Sequence, residues 1–192
     1  GGPTTGQRPE MLFARIPGIR VIVPSTPANA YVLMKGALAH PGVTLVFEDR
    51  MILDSATQER DLEVPRFKRN YGVGPPQVTV LAYGLMCQVV ESVAIEHKLC
   101  LELLDLSNLS DPPYGDLHYS LLTTGRLLVV EPDIRFGGIG AEVVAHMTER
   151  GAVAFKAARL GAPRATISAR PDERQLYLPS REEILDAVVA LL

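Results

Sequence analysis

Three observations in the 192-residue chain predict an α/β fold built on two open, mostly parallel sheets with flanking helices. First, residues 78–82 (VTVLA), 101–106 (LELLDL) and 127–131 (LLVVE) are apolar runs too short for buried helices. Their Val and Leu content, with little alternation, is the pattern of parallel strands covered on both faces. Second, Met86, Val89, Val90, Val93 and Ala94 repeat on one helical face between the first two runs, which makes a βαβ unit with a right-handed crossover. Third, a similar strand–helix–strand pattern at 19–48 is separated from this one by a charged stretch that closes on Gly72, Gly74, Pro75 and Pro76. A composition shift of that kind marks a domain boundary. The expected division is a first domain at 1–54, a linker at 55–77 and a second domain at 78–192.

Taken in order, residues 1–7 (GGPTTGQ) read as loop, and 8–16 as a short helix broken by Pro17-Gly18. IRVIV (19–23) is a strand stopped by Pro24. Ser25-Thr26-Pro27 starts a helix, because a hydroxyl accepts an orphan N–H and Pro lacks the one it would leave unpaired. That helix should run to about Leu38 and bury Ala30, Leu33, Met34, Ala37 and Leu38, before VTLVFE (43–48) forms the next strand. The basic run Arg66, Lys68 and Arg69 reads as solvated linker. After Glu131, residues 132–136 read as loop, and Gly137-Gly138-Ile139-Gly140 leads into a helix from about Ala141. These glycines lack the GxGxxG spacing of a dinucleotide loop, so close packing is the expected role and phosphate binding is not. Residues 152–156 and 164–168 read as two further strands. Ser180 with Glu183 forms a capping box for a last helix that buries Ile184, Leu185, Val188, Val189 and Leu192.

The totals exclude several classes. A net charge of −3 gives no basic footprint, so no nucleic-acid partner is expected. No apolar run approaches the roughly 20 residues of a membrane span, and no signal peptide is evident. Cys87 and Cys100 have neither metal-type spacing nor a disulfide framework and read as core thiols of a cytoplasmic protein. The four histidines (His40, His97, His118 and His146) are scattered, with His118 placed in a loop, PPYGDLHYS. No Ser-His-Asp spacing, paired-His metal motif or P-loop is present.

The runs TVLAYG, DLSNL and GRLLVVE, followed by GGIGAE, resemble the C-terminal domain of the transketolase family, most closely the beta subunit of 2-oxo acid dehydrogenases. RIPGIRVIVPSTPANAYVLMKGAL and LYLPSREEIL flank them in the family's order, so the resemblance covers nearly the whole chain. It implies that residues 1–54 are the C-terminal part of the pyrimidine-binding domain, incomplete here, and that 78–192 are a whole transketolase C-terminal-like domain. In the family a large N-terminal portion precedes this point. Either this chain is a fragment, or that portion sits on another polypeptide.

The resemblance also implies chemistry. Family members use thiamine diphosphate, whose aminopyrimidine is protonated by a Glu in the portion absent here, and which supplies the carbanion chemistry. Magnesium and the diphosphate are held on a GDG motif of the other subunit type, and this chain has no GDG. A His-Ser-Gln trio ahead of the Pro-Gly turn falls on Thr5, Gly6 and Gln7. Thr5 and Gln7 are therefore the candidate catalytic positions, with Thr5 standing where the family has its acid. A Thr hydroxyl does no general-acid work near pH 7, and no His occurs before His40. A different acid, a reaction that needs none, or lost turnover would each account for this. Residues 37–43 align with a potassium-binding turn of some relatives but lack its acidic and amide residues. Glu48-Asp49-Arg50 ends a strand at the carboxyl edge, where open α/β sheets place ligands.

The function implied is a beta-subunit-like component of a thiamine-diphosphate-dependent 2-oxo acid decarboxylase or dehydrogenase. It would pass an acyl or hydroxyalkyl unit to a lipoyl or other acceptor. Its partners would be an alpha-type subunit and a dihydrolipoyl acyltransferase core, within a homo- or hetero-oligomer, in the cytoplasm or a mitochondrial matrix. The alternative is a non-catalytic assembly module that docks such a partner.

Overall fold

The computed structural model describes residues 8–53, 67–151, 153–168, 170 and 177–192. Thr5 and Gln7 lie outside these residues. A two-stranded parallel sheet pairs β1 (Ile19–Ile22) with β2 (Val43–Val46), joined by α2 (Pro27–Ala39). The short helices α1 (Glu10–Ala14) and α3 (Arg50–Leu53) flank it. A five-stranded sheet has the order β3-β5-β4-β6-β7, from β3 (Lys68–Tyr71), β4 (Val78–Ala82), β5 (Leu101–Asp105), β6 (Arg126–Ile134) and β7 (Lys156–Ala162). All its neighbours pair in parallel except β3, which runs antiparallel to β5. Its helices are α4 (Leu85–Glu96), α5 (Tyr114–Thr124), α6 (Ile139–Arg150) and α7 (Arg181–Leu191).

Every residue of β4 and β5 is buried, so both faces are covered, as their unbroken apolar runs require. On one face Val78, Val80, Leu101, Leu103, Leu128 and Val130 pack with α4 and with Ile184, Val188 and Leu191 of α7. On the other, Leu81, Leu104, Leu127 and Val129 pack against α5, α6 and the β1 residues Val21 and Val23. Thr79 sits on this second face, hydrogen-bonded to Ser120 (2.6 Å) and Thr124 (2.7 Å) of α5, so its buried hydroxyl is satisfied.

Local starts and stops follow the expected chemistry. The Thr26 hydroxyl accepts from Asn29 N with Pro27 at the first helical position, and Ser180 and Glu183 form the reciprocal capping box of α7. Among the described residues, no helix is long and apolar enough to cross a membrane.

Several expectations are corrected. The basic run is not solvated linker: 68–71 form edge strand β3, and the Arg69 side chain is only 12% exposed between Glu91 and Asp105. His118 lies on a helix, because Leu117, Ser120, Leu121 and Thr124 recur at helical spacing and bury one face. The loop expected at 132–136 is partly strand, since β6 runs on to Ile134 through a register shift after Val130. One strand, β7, replaces the two expected at 152–156 and 164–168. Leu185 is only partly buried, and Val189 and Leu192 are exposed, because Leu191 takes the inward position of the last turn. Cys87 is buried as expected, but Cys100 is only half-buried.

The largest departure is α2. It buries only Ala28 and Asn29, while Leu38 is 82% exposed and Tyr31 and Met34 face outward. Two strands are too narrow to cover a 13-residue helix, and β2 pairs with no second strand among the described residues.

The two sheets are joined through Asp105, at the end of β5. Its carboxylate accepts hydrogen bonds from Ser25 Oγ, Asn29 Nδ2 (2.9 Å), Ser107 Oγ (2.6 Å) and Arg69 Nη2 (3.3 Å). Burial pushes this carboxyl up, while Ser107, Ser25 and Arg69 pull it back. Backbone bonds reinforce the joint, with Val23 N donating to Ser107 O (2.8 Å) and Leu109 N to Val21 O (2.9 Å). We expect Asp105→Ala to cost about 3–5 kcal/mol, because it strands the buried Arg69 and the Ser25 and Asn29 donors. Ser180→Ala, by contrast, should cost only about 1 kcal/mol. Urea unfolding of the two variants reads the difference.

Candidate functional site

Strand β4 is central: α4 carries the chain to β5 on one side, and the next crossover returns it to β6 on the other. The crevice outside the carboxyl ends of β4 and β6 is therefore the topological switch point, where open α/β sheets bind ligands. Tyr83, just past β4, and Glu131, in β6, face it and are fully buried. Gly84 follows with φ +54°, and a Cβ there would come within 3.3 Å of Val23 Cγ1. Glycine thus lets the first sheet approach the mouth of the second.

That mouth is filled by the segment before β1. Arg8 bonds Asp49 Oδ2 (2.6 Å) and lies 3.7 Å from Glu10 Oε1. Glu10, on α1, is buried, and its Oε2 has no hydrogen-bond partner; neither do the Tyr83 hydroxyl and Glu131 Oε1. Burial raises the Glu10 and Asp133 carboxyls and pushes Tyr83 well up, with Glu10, Glu131 and Asp133 adding to the Tyr83 shift and Arg8 opposing it. Burial lifts Glu131 to about 8, against the pull of the Gly140 and Ile139 N–H groups and of Arg159.

The glycine turn 137–140 serves this carboxyl. A Cβ on Gly138 would overlap Glu131 Oε2, one on Gly140 would sit 3.0 Å from Oε1, and one on Gly161 of β7 3.0 Å from Cγ. Close packing was the expected role of these glycines, but the partner being a buried acid was not. The acid ends a run that otherwise reads as an apolar strand, and nothing in its spacing announces the cage.

The strand-end group at 48–50 separates. Asp49 joins Arg8 and also accepts from Met51 N (3.0 Å), whereas Glu48 is exposed. The histidines stay apart. His40 and His97 cap helix ends, His118 contacts Tyr119, and His146 stacks on Tyr114 with centroids 3.7 Å apart. Among the described residues no three His, Cys, Asp or Glu side chains are grouped to hold a metal ion. With no such group and no GDG sequence, the described residues do not fit a magnesium–diphosphate head group. The arrangement can hold protons and seat the N-terminal segment; it offers no paired nucleophile and base. Gly138→Ala should destabilise the fold by roughly 1–3 kcal/mol through overpacking. The penalty should shrink in the Glu131→Ala background, a coupling that a double-mutant cycle in urea measures.

Comparison with known proteins places this geometry. The chain is 27% identical to the mitochondrial 2-oxoisovalerate dehydrogenase subunit beta 2 of Arabidopsis thaliana, over 98% of this chain and 54% of that protein. It is 28% identical to a pyruvate dehydrogenase E1 component subunit beta of Leifsonia xyli, over 95% of this chain and 56% of that one. It thus spans about half the length of these curated relatives. A solved structure, a split gene transketolase described as an inactive beta4 tetramer, superposes with a TM-score of 0.77 at 20% identity, over 95% of this chain and 61% of that one, and shows the shared fold. The model of the transketolase C-terminal domain matches residues 71–184, from the end of β3 into α7. The chain belongs to the transketolase C-terminal domain family.

Proposed function

We propose that this chain is the C-terminal part of a beta-subunit-like component of a thiamine-diphosphate-dependent 2-oxo acid decarboxylase or dehydrogenase, which passes an acyl or hydroxyalkyl unit to a lipoyl or other acceptor. One observation carries the reading. The likeness to a 2-oxoisovalerate dehydrogenase beta subunit runs over 98% of the chain and so includes the β1–α2–β2 unit outside the matched family domain. On this reading residues 1–54 belong to the pyrimidine-side domain, 55–77 connect and lend β3 to the second sheet, and 78–192 are the C-terminal domain. The aminopyrimidine carboxyl, the diphosphate and magnesium are held by residues outside this chain, on an alpha-type or other polypeptide. The uncovered side of α2 and the open edge of β2 support such a partner, in a homo- or hetero-oligomer of the cytoplasm or mitochondrial matrix.

A second reading, a non-catalytic module that docks a partner subunit or a dihydrolipoyl acyltransferase core, is favoured by Thr5 in place of the family's acid. Activity separates the two. The native assembly containing this chain should bind thiamine diphosphate by calorimetry and decarboxylate a branched or short 2-oxo acid with a dye acceptor. In it, Thr5→His should raise kcat by about 10²-fold, the low end of general-acid effects. An assembly that retains its partners yet binds no thiamine diphosphate would overturn the enzyme reading and leave the docking module.

A further inference from the structure

Glu131 is buried in a way an ionised carboxylate does not tolerate. It is 0% exposed, accepts one long hydrogen bond from Gly140 N (3.4 Å), and leaves Oε1 with no hydrogen-bond partner. A buried charge with so little compensation costs several kcal/mol, whereas the neutral acid carries its own O–H donor. The groups facing it come from each packed element: Asp133 on its own strand, Tyr83 after β4, Arg159 on β7, and the Ile139 and Gly140 N–H groups at the start of α6. Asp133 and Tyr83 also face Glu10 of α1, and Arg8 stands opposite all three. Met11, Phe13 and Ala14 pack on the same apolar cluster as Tyr83. The seat of the N-terminal segment and the cage of Glu131 are therefore one interface, with Glu10, Asp49 and Asp133 already set against Arg8 and Arg159. Ionising Glu131 would add a fourth carboxylate.

We propose that Glu131 is a proton-operated catch that seats the segment Arg8 to Ala14 on the ends of β4 and β6, firm while the acid keeps its proton and loosened as it is lost. The sign follows from linkage. The folded value, about 8, lies above the ordinary carboxyl value of 4.5, so the seated form binds the extra proton. Its contribution is fully present below about pH 4.5, declines as pH rises toward 8, and is flat above that.

Hydrogen exchange of the 192-residue chain, read by mass spectrometry on peptides spanning 8–16 and 136–145 and corrected for intrinsic exchange, tests this. Between pH 5 and 8 the opening constant of 8–16 in wild type should rise relative to Glu131→Gln by about tenfold per pH unit, roughly a thousandfold in all. A wild-type-to-variant ratio constant within about threefold would overturn the proposal. Should the amide variant fail to fold, the carboxyl ¹³C shift of Glu131 in the wild-type protein decides. A midpoint near pH 8 that coincides with the exchange transition of 8–16 supports the catch. A midpoint near the ordinary value, or no coincidence, removes it.

Discussion

The Asp105 carboxylate is the joint on which the rest of the molecule depends. It draws donors from the β1–α2 turn, from α2, from edge strand β3 and from the segment after β5. Each donor would otherwise be a buried polar group without a partner, so the four elements either meet there or all lose. The backbone bonds of 107–109 to β1 then continue the first sheet onto the body of the second. The β1 edge is closed this way, whereas β2 pairs with β1 alone. The consequence is asymmetric: one side of the small sheet is cemented and the other is bare.

The central strands were legible because burial on both faces leaves a compositional mark. Val78–Ala82 is matched to the residue, and α4 follows its apolar stripe. Caps were legible as well, since Thr26 and Ser180 act through backbone geometry that a few neighbouring residues determine. What escaped lies where distant residues decide. The Lys68–Tyr71 strand carries two cations and an Asn and has no apolar pattern; it forms because Glu102, Glu91 and Asp105 are waiting as counter-charges. Lys156–Ala162 is poor in β-branched residues, and its pairing with β6 overrides weak propensity. Helix α5 was masked by Pro113, Tyr114 and Gly115, which look like a turn and in fact open the helix.

The site was less legible than the fold. Asp49 was noticed as a strand-end acid, but its partner Arg8 precedes it by 41 residues and no local pattern connects them. Glu131 was visible only as the end of an apolar strand. Its meaning rests on Gly138, Gly140 and Gly161, two of which sit in a turn that suggests packing and the third in another strand. A chain read along its length shows which residues can approach closely; it does not show what they approach.

The bare outer edge of β2 bears on how the protein must be handled and made. Leu38 and Val43 stand exposed where the helix end meets the first residue of that strand, beside unpaired backbone donors and acceptors. Natural sheets blunt such edges with Lys, Pro or a bulge, and Val43 through Val46 (VTLV) carries none of these. A ribosome releasing this chain without its cover would present a template for uncontrolled strand addition. Stoichiometric co-production with the covering polypeptide would then be a condition of yield, and purification tags are safer placed away from β2.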